Sequence, residues 1–308
     1  MKLSERLITL LFLVGLIPVG LGFLGKFHWI ADLFSHFRLI YIIYFYSIGF
    51  ILLLARSIKT GLLSILIALL LTTPLIQFYS PKPPISTSKN NTLSISSINL
   101  LSSNSNYSEV FEYVTKNNFD IVFLMELNHQ WQFQFEDLNS YEHAYFLPRS
   151  DNFGIGVISK IDLDSVQVLD LSDANLPSLL VSISKESETL SMLATHPLPP
   201  IGRRFFESRN LQFENINRFV STIETELILI GDLNSTSFSP NFKRLTREND
   251  LIDTRIGFGI LPTWNDLFGI NLLTLDHALA TPGVNVLRRS VGKSIGSDHL
   301  PIEVEIGF

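Results

Sequence analysis

Three long stretches without charge precede everything else in this chain, and they restrict its folding more than any other feature. No acidic or basic residue occurs from Leu7 to Gly25 or from Leu39 to Ala55, and from Gly61 to Ser80 the most polar side chain is Gln77. Each run approaches the roughly 20 apolar residues that cross a hydrocarbon core. Together they raise the hydrophobic share of the 308 residues to 46%, more than a soluble domain needs. Lys2 and Arg6 precede the first run, as they would in a cleavable leader. Two further runs and the lack of a small-residue cleavage pattern make it an anchor instead. The sequence predicts a membrane unit over residues 1–80 with three transmembrane helices, at about 7–25, 39–55 and 61–79.

Basic residues set the direction of insertion. Lys2 and Arg6 flank the first span, and Arg56 with Lys59 crowd the short turn between the second and third. Lys26, Arg38, Lys82 and Lys89 lie on the opposite side. The density of the tight turn favours an N-terminus inside, which places everything after residue 80 on the far side of the bilayer. His28 and His36 then fall in the first extramembrane loop, at the depth of lipid headgroups.

After Ser80 the composition changes to Pro, Ser and Lys in "SPKPPISTSKN", which cannot continue a helix and reads as a linker over residues 81–91. The remainder, residues 92–308, mixes strand and helix in one sizeable domain. "TLSISSINL" alternates as a strand does, and Asn106 to Glu109 has capping-box spacing at the head of a helix. "DIVFLME" is a nearly continuous apolar run, as in a strand covered on both faces. Further strands are predicted at Gly154 to Ser159, Leu179 to Ser184, Thr189 to Thr195, Leu227 to Ile230, Leu273 to Ala280 and Pro301 to Ile306. Helices are predicted at Phe205 to Ile223 and Pro240 to Glu248.

The polar residues of interest fall where these strands end. In order they are Asn99 in "SINL", Glu126 in "LMELN", His196 in "ATHPLPP", Asp232 and Asn234 in "LILIGDLNS", Asp276 in "LTLDHALAT", and Asp298 with His299 in "GSDHLP". Singly, most have an ordinary explanation, since Gly, Asp and Asn suit tight turns. Glu126 is harder to dismiss, because a charge closing a buried strand must be solvated or paired. Four carboxylates on one rim would raise one another's pKa unless a cation or a set of donors compensates. The chain has no cysteine, and oxygen donors from Asp, Glu and Asn favour a hard ion, Mg²⁺ or Mn²⁺, over zinc. His129 and His143 lack such a context and read as surface or core residues.

The order of these pieces resembles a known family. Asn, then Glu, Thr-His, Gly-Asp-x-Asn, an Asp-His strand and a terminal Ser-Asp-His resemble the endonuclease/exonuclease/phosphatase superfamily, with the deoxyribonuclease I-like fold, over about residues 91 to 308. "THPLPP" with "SRNLQ", "PTW" and "GSDH" is similar to its bacterial branch that carries three membrane spans ahead of the catalytic domain. The resemblance implies an α/β (α+β) fold, a four-layer α/β/β/α sandwich, and metal-dependent cleavage of a phosphate ester. It also implies a bacterial inner-membrane protein, whose catalytic domain the distribution of basic residues places on the periplasmic side. On the matching positions, Glu126 and Asp298 would ligate the metal, with Asn99 helping to place it. Asp232 would orient or deprotonate the attacking water, and Asn234 would bond the phosphoryl oxygens or the nucleophile. His299, held by Asp276, would sit against the phosphate as acid/base or charge stabiliser, and His196 would contact the phosphate as well. Those residue types suit the chemistry, which needs charge neutralisation, a base near water and donors aimed at equatorial oxygens.

"IGRRFFESRN" places Arg203, Arg204 and Arg209 near the start of a helix, where cations oppose the macrodipole. The sequence therefore predicts that at least one grips a substrate phosphate. Leu300 and Leu275 stand where this branch often has Arg, and the net charge of -6 offers no footprint for long duplex DNA. The expected substrate is a small or membrane-borne phosphoester such as a lipid head group, with a nucleic acid close behind, and no protein partner is predicted. The other reading is a silent relative serving as a membrane-tethered binding or scaffold domain, but such a relative has usually lost a metal or base residue, and here the set is whole. Spans without internal charge offer no ion pathway, which sets a transporter aside.

Overall fold

The computed structural model describes residues 3–80, 92–185, 188–265 and 271–308; the segment read as a linker, residues 81–91, lies outside them. The N-terminal unit is helical, with α1 (Leu3–Phe23), α2 (Trp29–His36), α3 (Arg38–Leu54), α4 (Ile58–Thr72) and a 3-10 turn over Thr73–Tyr79. Two stretches, Arg6–Phe23 and Ile58–Tyr79, are long and apolar enough to cross a membrane. The middle helix lies where expected, over the 39–55 run, but is short for a span. α3 has 17 residues, about 26 Å of helix against a core of about 30 Å. Only with α2 does it reach a span's length, and the two are bent by 64°. α2 turns instead to the following domain, against which its Asp32 and His36 are buried.

Small residues bring α3 and α4 together. A Cβ on Gly61 would stand 2.9 Å from the Leu53 side chain, and Ser64 Oγ donates to the Phe45 carbonyl at 2.7 Å. The outer faces carry exposed Leu13, Ile17, Phe50, Leu62 and Leu70. So continuous an apolar surface is compatible with membrane association.

Beyond the linker the strands in chain order are β1 (Thr92–Asn99), β2 (Ile121–Met125), β3 (His143–Leu147), β4 (Ile155–Ser159), β5 (Ser165–Asp170), β6 (Pro177–Lys185), β7 (Glu188–Thr195), β8 (Glu226–Asp232), β9 (Ile252–Asp253), β10 (Trp264–Asn265), β11 (Asn271–Leu273), β12 (Asp276–Ala280), β13 (Asn285–Val291) and β14 (Ile302–Gly307). The helices among them are α5 (Tyr107–Asn117), α6 (His129–Glu136), α7 (Arg203–Val220) and α8 (Pro240–Glu248). One six-stranded sheet has the order β13-β14-β1-β2-β4-β3, the other β5-β6-β7-β8-β12-β9. β1 runs parallel to β2 and β7 parallel to β8.

Alternation along each strand divides its residues between two cores. Ile95, Phe123 and Met125 of the first sheet meet Met192, Ile230 and Ala278 of the second in one buried cluster between the sheets. The opposite faces pack Val122 and Leu124 against Val110, Trp131 and Phe135 of α5 and α6, and Leu227 and Leu229 against Phe213, Ile216 and Phe242 of α7 and α8. These four layers, α/β/β/α, are the predicted sandwich. Asn106 precedes α5 as expected but forms no side-chain cap; its own N–H donates to Asn104 Oδ1 at 2.9 Å.

The helical unit is bonded to the sandwich. Asp32 takes a bond from the Arg209 guanidinium and another from Ser239 Oγ, each at 2.8 Å. Phe78 and Gln77 carbonyls accept from the Gly259 and Gly257 amides at 2.7 and 3.3 Å. His36, expected near lipid headgroups, is buried instead, with Nδ1 3.0 Å from Thr236 Oγ1 and 3.2 Å from the Thr236 amide. His28 remains exposed and caps α2 through the Ile30 amide.

Candidate active site

The parity that fills the core also builds the site. Asn99, Asp232 and Asp276 share parity with the inward residues Ile95, Ile230 and Ala278, and His196 continues the parity of Met192 and Ala194. Because β1, β2, β7 and β8 end at the rim where β12 and β14 begin, these side chains converge between the two sheets. Asp276 and Asp232 are direct cross-strand partners in the β12–β8 register. Gly231 allows the approach: with φ +139°, its missing Cβ would lie 2.2 Å from the Thr195 carbonyl oxygen. Glu126, just past β2, has φ +57°, a left-handed turn that redirects its carboxylate inward.

Asn99 links the acids. Its Nδ2 donates to Glu126 Oε1 at 3.2 Å and to Asp232 Oδ2 at 3.1 Å, while its Oδ1 accepts from the Leu101 amide at 3.0 Å. Ser102 N–H donates to Glu126 Oε2 at 3.0 Å. His196 Nε2 lies 3.4 Å and His299 Nε2 3.6 Å from Asp232 Oδ2. The other ring nitrogen of His299 donates to Asp276 Oδ2 at 2.7 Å. Ligand atoms of Asp232, Asp276 and His299 all fall within 4.8 Å of one another.

Burial opposes ionisation of Asp232, yet the imidazoles of His299 and His196 and the Asn234 amide hold its carboxyl well below the usual carboxylate range. Burial likewise opposes the His299 imidazolium, but the carboxylates of Asp276, Asp232 and Asp298 outweigh it and push His299 up to about 10. His299 is therefore a cation at neutral pH, suited to charge stabilisation more than to proton shuttling.

Asp298 sits at the edge of this set. Its Oδ2 accepts from Trp264 Nε1 at 3.2 Å, and its Oδ1 is buried with no hydrogen-bond partner among the described residues. An orphaned carboxylate oxygen beside other oxygen donors fits a hard divalent cation. Asn99 turns its amide nitrogen to Glu126 and Asp232 and its oxygen to the Leu101 amide, and so positions the acids. Asn234, at φ +47°, donates from Nδ2 to the Pro197 carbonyl at 2.9 Å and so clamps its loop to the one that carries His196.

The three arginines separate. Arg209 does not face substrate: it is wholly buried and paired with Asp32, because the helical unit covers that side of α7. Arg203 is 82% exposed and paired with Glu207 at 2.8 Å, and Arg204 is exposed. Sequence reasoning missed two supports of the site. Thr263 Oγ1 accepts from the Asp276 amide at 3.1 Å, and Trp264 holds Asp298. Their signal was the "PTW" motif, whose residues had no role until β10 was seen against the site.

Residues 96–299 match the Endonuclease/Exonuclease/phosphatase family. Solved structures share the fold. D. rerio TDP2 complexed with a single strand DNA product is 15% identical, with a TM-score of 0.59 over 71% of this chain and 100% of that one. A family protein from Leptotrichia buccalis is 16% identical, with a TM-score of 0.58 over 70% of this chain and 100% of that one. The mannosyl-6-phosphatase of Bacteroides thetaiotaomicron is 19% identical, with a TM-score of 0.54 over 70% of this chain and 100% of that one. No curated protein sequence is significantly similar. Matched from Ser96 in β1 to the histidine ahead of β14, around a site with this geometry, the chain belongs to the Endonuclease/Exonuclease/phosphatase family.

Proposed function

We propose that this protein is a membrane-anchored phosphoesterase, dependent on Mg²⁺ or Mn²⁺, that hydrolyses a phosphodiester or phosphomonoester. The observation that carries the reading is the buried set of Asn99, Glu126, His196, Asp232, Asp276 and His299 joined at one rim. Glu126 and Asp298, with Asp232 close by, would hold the cation, which when bound neutralises charge on the phosphoryl group. Asp232, ionised and fixed by the Asn234 amide at 2.9 Å, accepts a hydrogen bond from the attacking water and orients it. The His299 imidazolium, aligned by Asp276, and the His196 ring donate to phosphoryl oxygens. Arg203 and Arg204, at the head of α7 just past His196, extend the site toward a further anionic group of the substrate.

The neighbours in fold do not choose the substrate, since one was crystallised with a DNA product and another is a sugar phosphatase. The net charge of -6 and the apolar Leu300 and Leu275 favour a small or membrane-borne phosphoester over duplex DNA. We place the catalytic domain on the periplasmic side of a bacterial inner membrane, beyond three spans formed by α1, α3 and α4 with the turn that follows it, while α2 docks on the sandwich. A reporter fused after Phe308 that works only when exported supports that side; one that works only in the cytoplasm reverses it.

The test uses the full chain in detergent, stripped of metal, on bis(p-nitrophenyl) phosphate and p-nitrophenyl phosphate. Turnover restored by Mg²⁺ or Mn²⁺ and lost in Asp232→Asn and His299→Ala is the expected result. Turnover unaffected by chelation, or retained in both variants, would refute it. The diester-to-monoester ratio distinguishes nuclease-like from phosphatase-like action.

A further inference from the structure

A cavity of about 230 Å³ opens between the helical unit and the sandwich, walled by Val19, Phe23, Phe34 and Leu71 of the apolar helices, by Phe238 ahead of α8 and by Pro240 at its start. Three basic side chains line it: Arg38 at the head of α3, and Lys243 and Arg247 one turn apart on α8. None of its lining residues belongs to the catalytic set. The end of α1, the start of α3 and the end of α4 all meet the sandwich here, so the cavity lies where the apolar bundle stops and polar protein begins.

The three cations have no acid of their own. Among the described residues none forms an ion pair, whereas Arg244, between two of them in sequence, is bonded to both Glu214 and Glu248 at 2.7 Å. Burial pushes the Lys243 ammonium down, and the Arg38 and Arg247 guanidinium groups beside it push it further. Arg38 additionally stacks over Phe238, 5.1 Å from the ring centroid. Like charges held together on a partly buried surface are unfavourable unless an anion joins them. The apolar walls below them are suited to hydrocarbon, and basic pockets between helices at a membrane boundary hold anionic head groups.

We propose that this cavity binds one anionic glycerophospholipid, its phosphate among Arg38, Lys243 and Arg247 and its acyl chains along Val19, Phe23 and Leu71. The ligand acts as a fixed link between membrane and catalytic domain, distinct from the substrate. The inference rests on the membrane placement proposed above and not on the catalytic reading.

The experiment is native mass spectrometry of the full chain, delipidated in dodecyl maltoside and titrated with dioctanoyl-phosphatidylglycerol. One retained lipid per chain is expected. The double variant Lys243→Gln/Arg247→Gln should weaken retention about tenfold or more, while Arg244→Gln, which removes a charge from the same helix, should leave it unchanged. Inorganic phosphate and dioctanoyl-phosphatidylcholine at equal concentration should not displace the lipid. Failure of wild type to retain lipid, equal retention by the double variant, or displacement by either competitor overturns the proposal. Should the double variant unfold, the wild-type competition decides alone. Hydrolysis of p-nitrophenyl substrates by the same samples reports the catalytic reading separately, and the double variant should retain it.

Discussion

Asp232 is the residue on which the site converges: Asn99, His196 and His299 all approach its Oδ2. Its neighbour across the strands, Asp276, does not touch that carboxylate's bonds but sets the charge of His299. Replacing Asp276 by Asn keeps the shape and removes the charge. The expected result is a fall in kcat on the order of 10²- to 10³-fold. The alkaline limb of the pH profile should also move toward lower pH, because His299 then loses its proton nearer its ordinary range; an unmoved limb would assign that limb to another group. His277, beside it, behaves oppositely. Burial first, then the Arg255 guanidinium, push it down to about 3, and its Nε2 donates to the Ser235 carbonyl at 2.8 Å. It is neutral when folded and takes a proton at about 6.5 when unfolded. Stability is therefore full above that value and falls as the pH drops from about 6.5 toward 3. His277→Gln should flatten that part of the thermal-unfolding profile in detergent; an unchanged slope would show that other groups produce it.

At the scale of elements, the central strands were legible and the edges were not. β1, β2, β7, β8 and β12 are buried on both faces or alternate strongly, so their apolar patterns are plain. β3, β5 and β13, which no pattern announced, lie at sheet edges. β5 shows why, since its residues are mostly half-buried or exposed and impose no alternation. The short helix α6, amphipathic over only two turns, escaped for the same reason. The join between β7 and β8 is the most sensitive point. A methyl on Gly231 would meet the Thr195 carbonyl, which is backbone and cannot move aside. Gly231→Ala should lower the melting temperature sharply and abolish turnover together; a stable, active variant would show that the parallel pair tolerates separation.

For the whole molecule, the decisive contact joins the two units. Arg209 and Asp32, both fully buried, lie 2.8 Å apart although 177 residues separate them in sequence. Breaking such a pair leaves one charge uncompensated, at about 3–5 kcal/mol. Asp32→Ala should therefore destabilise the full chain and make its sandwich sensitive to proteolysis, and Asp32→Leu combined with Arg209→Leu should recover much of the loss. Equal proteolysis of wild type and Asp32→Ala would show that the docked face is held by other contacts. For the same reason a fragment beginning near residue 92 would expose Arg209, Thr236 and Phe238, and the full chain is the proper object of assay. Local order along the chain determined the apolar runs, the period-two strands and the set of polar residues at their ends, because burial on a regular element leaves a periodic trace in the sequence. Only the tertiary structure decided which of those residues meet. An arginine that seeks a substrate phosphate and one that neutralises a buried aspartate look alike on an amphipathic helix. So do a histidine at the headgroups and one bonded to Thr236. Their partners are set by sheet order and by the docking of the helical unit, and contacts across such separations have no local signature.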